Sequence, residues 1–250
     1  MLEIKNITVQ ADEQTILNNF NLNIEDHEIH ALMGPNGVGK STICKVLLND
    51  PNYHVINGNI IYNSQNINEL ATDERAKLGF FLLNQTPIAI PGVSNSEMLR
   101  LALSNKTNKQ VDILAFHKEL KAITEKLNVP SSFIHRDINY GMSGGERKKN
   151  ELIHLWMLKP NFIILDEVDS GLDVDSFKTV MKSLKEYYLE YKPSILIITH
   201  NTKVFKYLHP DKISILNNGY IIKNGDASLA NIIDEQGFEA FNVSENEVHE

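Results

Sequence analysis

The first chemistry-bearing feature of the sequence is a glycine-rich stretch, GPNGVGKS, which covers residues 34–41. It fits the G-x-x-x-x-G-K-[ST] pattern and lies between an apolar stretch typical of a strand and a stretch that favours a helix. Glycines allow a tight turn that aims backbone N–H groups at phosphate oxygens, and the following helix N-terminus adds its positive dipole end. The alternative, a glycine-rich turn with an incidental lysine, is disfavoured by this strand and helix context.

The stretch therefore predicts a phosphate-binding loop. Lys40 is expected to reach the β- and γ-phosphates of a nucleotide, Ser41 to ligate Mg²⁺, and Thr42 to hydrogen-bond the α-phosphate. The predicted nucleotide-binding residues of this loop are Gly34, Pro35, Asn36, Gly37, Val38, Gly39, Lys40, Ser41 and Thr42.

Two adjacent carboxylates, Asp166 and Glu167, end the apolar run FIILDE. Neighbouring side chains of a strand point to opposite sides, so we expect the two to have different roles. Beside a phosphate-binding loop, the aspartate would hold Mg²⁺ and the glutamate would polarise the attacking water. The run SILIITH repeats the arrangement and ends in His200, which is placed to contact the γ-phosphate, although a lone histidine is more often structural.

The elements that must position these residues follow from hydrophobic periodicity. The first 30 residues alternate between apolar and polar, as half-buried strands do. The uninterrupted apolar runs Phe162–Leu165 and Ile195–Ile198 are typical of central parallel strands buried on both faces. From about Asn95 to Lys159 the periodicity is helical. The pattern predicts an α/β core that is interrupted by a helical insertion.

Composition limits the class of protein. The chain has 250 residues and a net charge of −8, which argues against a nucleic-acid partner, and we interpret the basic run Arg147–Lys149 as a solvated helix face or a phosphate-tuning patch. The single cysteine, Cys44, allows no intrachain disulfide and favours a reducing compartment. No apolar run approaches the roughly 20 residues that span a bilayer, and Met1 opens no signal peptide. We expect a cytoplasmic protein, with an organelle stroma as the less favoured location.

The stretch SGGE at residues 143–146 reads as a capping box, in which Ser143 caps a helix N-terminus and Glu146 reaches back. Taken alone, it favours a well-capped helix and nothing more. MSGGE, however, resembles the signature of ATP-binding cassettes. The chain also carries, in the order found in such cassettes, Gln85, LDE at Leu165–Glu167, SGLD at Ser170–Asp173, and His200.

This resemblance implies an α/β fold: a P-loop ATP-binding cassette with a RecA-like parallel-sheet core, an N-terminal antiparallel β portion and an inserted helical subdomain. It implies one domain over residues 1–250, with a core lobe at about 1–88 and 158–250 and a helical lobe at about 89–157. It also implies a head-to-tail pair of cassettes, in which each ATP lies between the phosphate loop of one subunit and the signature of the other.

Residue roles follow from the resemblance by position. Gln85 would touch Mg²⁺ and the attacking water, Glu167 would be the general base, and His200 would sense the γ-phosphate. Lys40 would stabilise the developing charge, and Asp173 would lie in the loop that communicates across the dimer. The residues that would grip the nucleotide of the opposite subunit are Ser143, Gly144, Gly145 and Glu146. The implied metal ligands are Ser41, Gln85 and Asp166, and the implied cofactors are ATP and Mg²⁺.

Three further details resemble one branch of that family. They are TPIAIPGVSN after Gln85, VDSGLD in place of the usual PTSGLD, and a glutamate as the last signature residue. They are similar to the ATPases of the SUF machinery for iron–sulfur cluster assembly. The partners implied are a second cassette and scaffold proteins like SufB and SufD, without nucleic acid and without insertion into a membrane.

Two other interpretations stay open at this point. The ATP-binding subunit of a membrane transporter shares every generic motif and would differ in the segment after Gln85. A non-catalytic nucleotide-binding clamp is disfavoured by the intact Glu167 and His200. The stretch Thr8–Thr15 has no aromatic side chain to stack on adenine, which leaves the preference for ATP over GTP less determined than phosphate binding.

Overall fold

The computed structural model describes residues 1–241. The strands are β1 (Leu2–Ala11), β2 (Gln14–Ile24), β3 (Ile29–Met33), β4 (His54–Tyr62), β5 (Gln65–Asn66), β6 (Phe80–Leu83), β7 (Ile90–Ser94), β8 (Asp137–Ile138), β9 (Phe162–Asp166), β10 (Ser194–Ile198), β11 (Lys212–Asn217) and β12 (Tyr220–Gly225). The α-helices are α1 (Lys40–Leu47), α2 (Thr72–Lys77), α3 (Asn95–Thr107), α4 (Ile113–Lys126), α5 (Gly144–Leu158), α6 (Val174–Tyr191) and α7 (Ser228–Gln236). Short 3₁₀ turns cover Ser131–His135, Thr202–Lys206 and Phe238–Phe241. The end of the predicted domain, residues 242–250, lies outside the described residues.

The central sheet has six strands in the order β12-β11-β3-β10-β9-β6. The pairs β11/β3, β3/β10, β10/β9 and β9/β6 are parallel, and β12 returns antiparallel to β11. The predicted parallel-sheet core is therefore confirmed. The carboxyl ends of β3, β9 and β10 meet at one edge, which is where an open parallel sheet binds ligands.

The two apolar runs predicted as central strands, β9 and β10, are buried along their whole length. Along β9, Ile163 and Leu165 pack into one hydrophobic cluster, whereas Phe162 and Ile164 pack into the other. β10 alternates in the same way. This alternation shows a sheet covered on both faces, so apolar residues at every position are required.

The N-terminal β portion covers one face of the central sheet. It is an antiparallel sheet in the order β2-β1-β4-β5. Its inward side chains, such as Ile7 and Phe20, share a cluster with Ile43 and Leu47 of α1 and with the central strands. The antiparallel portion implied by the resemblance is confirmed.

The helical insertion lies between β6 and β9 in the chain. It contains α3, α4 and α5 and the two-stranded sheet of β7 and β8. α5 packs against α4 and α6, and its apolar residues, such as Leu152 and Leu155, join the hydrophobic cluster that contains Ile163 and Leu165 of β9. The boundaries predicted for a separate helical lobe stay a prediction. Among the helices of residues 1–241, none is long and apolar enough to cross a membrane.

Candidate functional site

The phosphate loop connects β3 to α1 at the edge of the central sheet. Its conformation depends on glycine: a Cβ at Gly34 would lie 2.2 Å from the carbonyl oxygen of Leu216, and Gly39 has a φ of +101°. α1 begins at Lys40, and no side chain among residues 1–241 caps its N-terminus. The first N–H groups of this helix therefore point into the loop, where they can bind an anion.

Lys40 lies inside the loop. Its side chain is 4% exposed, and its Nζ donates to the carbonyl oxygens of Gly34 over 2.9 Å and Pro35 over 2.7 Å. Burial lowers the pKa of Lys40, and the nearby charges of Glu167 and Asp166 partly offset this effect. The lysine charge is thus held between the loop backbone and both carboxylates.

Asp166 ends β9 beneath the start of α1. It is 5% exposed, and its Oδ1 accepts a hydrogen bond of 3.3 Å from the hydroxyl of Ser41. Burial raises the pKa of Asp166; the hydrogen bond from Ser41 opposes the rise, and the charge of Glu167 adds to it. A buried carboxylate beside a hydroxyl is an oxygen donor pair of the kind that Mg²⁺ uses, so these residues fit the implied metal.

Glu167, Gln85 and His200 form one hydrogen-bonded group. Gln85 Nε2 donates to Glu167 Oε2 over 2.7 Å, and His200 Nδ1 lies 3.3 Å from Glu167 Oε1. Gln85 and His200 are exposed, whereas the side chain of Glu167 is 13% exposed. The fold therefore brings together three predicted catalytic residues, which follow β6, β9 and β10 in the chain.

The prediction that strand alternation sends Asp166 and Glu167 to opposite sides is wrong, because Glu167 is not part of the strand. β9 ends at Asp166, and Glu167 adopts a left-handed φ of +43°. Its N–H still donates to the carbonyl oxygen of Ile198 over 2.9 Å. The chain thus turns immediately after Asp166, and this strained turn gives the two carboxylates their different surroundings.

The signature begins α5, as its capping box predicts. Ser143 Oγ accepts from the N–H of Glu146 over 3.3 Å, and Glu146 Oε2 accepts from the N–H of Ser143 over 2.8 Å. A Cβ at Gly145 would lie 2.7 Å from Ser176 Oγ, so glycine lets α5 approach the start of α6. Ser143 and Gly144 are exposed.

Asp173 lies at the N-terminus of α6, where it has a structural role that the sequence did not reveal. One carboxylate oxygen accepts from the N–H groups of Asp175 and Ser176, and the other accepts from the Ser176 hydroxyl over 2.7 Å. Within residues 1–241, no hydrogen bond or ion pair joins Asp173 or the signature to the phosphate loop. The predicted site residues therefore form two separate groups in one chain.

The prediction of a solvated basic face is wrong for Lys148. This lysine is 1% exposed, forms an ion pair of 3.1 Å with Glu151, and donates to the backbone oxygen of Asn84. Glu151 Oε1 in turn accepts from the Asn84 N–H over 3.1 Å. Helical spacing could have indicated that Lys148 is buried. Lys148, Leu152 and Leu155 lie on one stripe of α5, and the two leucines are in the core.

Comparison with known proteins extends over nearly the whole chain. A family model described as ABC transporter matches residues 17–170. The chain is 42% identical to the "Probable ATP-dependent transporter ycf16" of Cyanophora paradoxa, over 98% of this chain and 96% of that protein. It is 39% identical to the "ABC transporter I family member 6, chloroplastic" of Arabidopsis thaliana, over 96% of this chain and 72% of that protein.

Solved structures agree on the fold. The structure of an ATP-binding cassette in a dimeric post-hydrolysis state bound to ADP and Pi matches with a TM-score of 0.77. The sequence identity is 23%, and the match covers 91% of this chain and 99% of that one. At this identity, the likeness supports the architecture and not a particular substrate or partner.

Proposed function

Because the chain belongs to the ABC transporter family of ATP-binding cassettes, we propose that it is a SufC-type ATPase whose site is completed by a second cassette. The observation that carries this proposal is the contact of Gln85 and His200 with Glu167, beside the buried Lys40. This arrangement supports Glu167 as the base, Gln85 as the amide that orients the water and Lys40 as the cation.

In the proposed reaction, Glu167 accepts the proton of the attacking water, and Gln85 orients that water. Lys40 and the first N–H groups of α1 hold the phosphates, where they stabilise the charge that develops during transfer. Ser41, Asp166 and Gln85 would hold Mg²⁺. When bound, this ion supplies neutralisation of the β- and γ-phosphate charge.

The second cassette is proposed because the signature and the phosphate loop have no bond to each other within the described chain. Residues 143–145 form the N-terminus of α5, where Ser143 and Gly144 are exposed. An N-terminus of this kind is suited to an anion. We propose that this anion is the γ-phosphate of ATP bound in the loop of the facing cassette.

The role in SUF cluster assembly rests on sequence resemblance and on the near full-length relatives, whereas the cytoplasmic location rests on the sequence alone. The segment after Gln85 supports a docking surface for a scaffold like SufB–SufD. Ile88 is 70% exposed and Ile90 is 44% exposed, and Asn139 Nδ2 binds the carbonyl oxygen of Ile88 over 2.8 Å. The alternative function, the ATP-binding subunit of a membrane transporter, would use the same surface for a permease.

The proposed chemistry is tested with Glu167→Gln. We expect turnover to fall by about 100-fold to 10,000-fold, because a positioned general base contributes that much, while ATP binding is retained. Steady-state ATPase assays and nucleotide titrations measure the two effects. Glu97→Gln, which changes a glutamate paired with Ser94 at the start of α3, is the control. Unchanged turnover in Glu167→Gln would overturn its role as the base.

The proposed partner is tested by purifying a tagged chain from its native host and identifying what comes with it. We expect proteins like SufB and SufD with the unaltered chain and with Leu114→Glu, which changes an 84% exposed residue of α4. Ile88→Glu should lose them without loss of folding. Retrieval of a membrane permease in their place would establish the alternative function.

A further inference from the structure

The two peptide units that flank the Cα of Asn84 are both held by one helix, α5. The N–H of Asn84 donates to Glu151 Oε1 over 3.1 Å, and its carbonyl oxygen accepts from Lys148 Nζ. The two charged side chains also pair with each other, with 3.1 Å between Lys148 Nζ and Glu151 Oε2. Their side chains are 2% and 10% exposed, so water does not compete for these contacts.

We propose that Lys148 and Glu151 form a clamp on Asn84 that sets the position of Gln85 against Glu167. Both are positioning residues, since neither contacts the candidate reacting groups. This inference rests on the proposed function, because it gives Gln85 and Glu167 the catalytic roles assigned above.

The location of Asn84 explains why a clamp is required. Asn84 follows the last residue of β6, and β6 is the edge strand of the central sheet within the described chain. Beyond Leu83 the backbone leaves the ladder with β9, so strand pairing no longer orients it. Each peptide unit is planar, and the two hydrogen bonds hold the units on either side of the Asn84 Cα. They therefore restrict both backbone dihedral angles of Asn84, and with them the direction in which the chain continues to Gln85.

A stabilising role alone does not account for the pair. Burying two charges costs several kcal/mol per ion, and their mutual attraction often fails to repay it. A pair of apolar side chains of similar volume would pack equally well or better at this position on α5. What the charged pair adds is a donor and an acceptor with defined direction, used on the two peptide units that flank the Cα of Asn84.

The clamp belongs to the helix that begins with the signature. Lys148 and Glu151 lie on the first two turns of α5, directly after residues 143–146. The same helix also contacts the chain at Asn95, ten residues after Gln85. There Asn150 Nδ2 donates to Asn95 Oδ1 over 2.8 Å and to Asn139 Oδ1 over 3.0 Å. Gln85 therefore shares one rigid support with the residues that would meet the opposite nucleotide.

The decisive experiment combines the removal of the clamp with the removal of Gln85. Lys148→Met with Glu151→Leu removes both charges at once, which leaves no unpaired buried charge and so preserves folding. Lys148→Met with Glu151→Gln keeps an acceptor for the Asn84 N–H. Each pair is made in the unaltered chain and in Gln85→Ala, and ATPase turnover, KM and nucleotide affinity are measured for the full chain.

In the unaltered background, we expect Lys148→Met with Glu151→Leu (the Met/Leu pair) to lower kcat on the order of 10-fold. Misplacement of a catalytic group such as Gln85 by about 1 Å can lower the rate by up to roughly 100-fold. Nucleotide affinity should stay within about 2-fold, because the phosphate loop is intact. The Met/Gln pair should recover part of kcat. In Gln85→Ala, the Met/Leu pair should cause no further fall, because the two changes act through the same side chain.

Ser183→Ala is the matched control, since it removes the buried hydrogen bond of 3.0 Å from Trp156 at the far end of α5. It should lower stability without changing kcat. The clamp is disproved if the Met/Leu pair leaves kcat unchanged, or if it lowers kcat equally in Gln85→Ala. These outcomes are separate from the test of the base: if Glu167→Gln still suppresses turnover, only the clamp fails.

Discussion

Two buried regions position the candidate site, and their interiors differ in kind. The strands β9 and β10, whose ends lead to Asp166, Glu167 and His200, are lined with apolar side chains on both faces. The helix α5, which starts at the signature, is buried over most of its length but includes polar groups there. Its buried polar residues are Lys148, Asn150, Glu151 and His154.

The difference shows two ways of holding a functional group in place. The apolar side chains of the strands contain no groups that titrate, and their dense packing fixes the positions of the residues that follow the strands. Buried polar groups cost stability unless all are paired, but directional bonds to specific partners select one arrangement. The stability contributed by α5 should therefore depend on pH and on single polar substitutions. At the ends of the strands, the affinity for ATP should depend on the charge of Lys40, which is proposed to meet the phosphates.

The largest expected difference between the two regions is the loss of folding stability at low pH, which we expect from α5. Burial lowers the pKa of His154 to about 4, and its Nε2 lies 2.9 Å from Asn95 Oδ1. A histidine with a depressed folded-state pKa contributes stability above its unfolded pKa near 6.5, and this contribution is lost as pH falls towards 4. The shift corresponds to roughly 3 kcal/mol at pH 4.

Denaturant unfolding at pH 7 and pH 4 measures this effect. The unaltered chain should lose about 3 kcal/mol more than His154→Gln between the two pH values, because other titrating groups are common to both. His209→Gln changes an exposed histidine and should lose as much as the unaltered chain. Equal losses in all three proteins would show that the polar interior of α5 is not the acid-sensitive region.

On the strand side, we expect Lys40→Met to weaken ATP binding by about 10-fold to 100-fold, since a hydrogen bond to a charged group contributes roughly 1.5–3 kcal/mol. Folding stability should not fall, because burial already disfavours the lysine charge and lowers its pKa. Nucleotide titration and thermal unfolding give the two values. A loss of stability without a loss of affinity would reverse the contrast between the two regions.

The smallest expected effect concerns the cap of α5. Ser143→Ala removes the acceptor for the Glu146 N–H and should lower unfolding stability by about 1 kcal/mol. The affinity of an isolated chain for ATP should not change, because within residues 1–241 Ser143 makes no hydrogen bond to the phosphate loop. Ser143→Thr keeps the hydroxyl and is the control. Weaker ATP binding by isolated Ser143→Ala would place both halves of the site in one chain.

Features with a local cause were predictable. The glycine pattern predicted a tight turn followed by a helix, and the structure has that turn and begins α1 at Lys40, because a tight turn and a helix N-terminus depend on nearby residues. Uninterrupted apolar runs located β9 and β10 for the same reason. The error at Glu167 arose because a single left-handed residue after a strand has no reliable pattern in the sequence.

Contacts between distant residues were not predictable from the chain pattern. Glu151 and Asn84 are 67 residues apart, and Gln85 and Glu167 are 82 residues apart. The prediction that Gln85 belongs to the site came from family resemblance. The basic run that contains Lys148 was interpreted as a solvated helix face or a phosphate-tuning patch from the acidic net charge. Whether a charged side chain is buried depends on which element covers it, and that element comes from elsewhere in the chain.

The amino-acid sequence by itself determined the local features of this protein: a glycine-rich turn that leads into a helix, two carboxylates at the end of a buried strand, and a capped glycine-rich helix start. Each follows from residue types at short spacing, since backbone turns, caps and strand burial are set within a few residues. Only the tertiary structure decided which groups meet. It joined Gln85 and His200 to Glu167, and Lys148 and Glu151 to Asn84, because the packing of the sheet and α5 sets which groups come into contact. Within residues 1–241 it left the signature without a hydrogen bond to the phosphate loop.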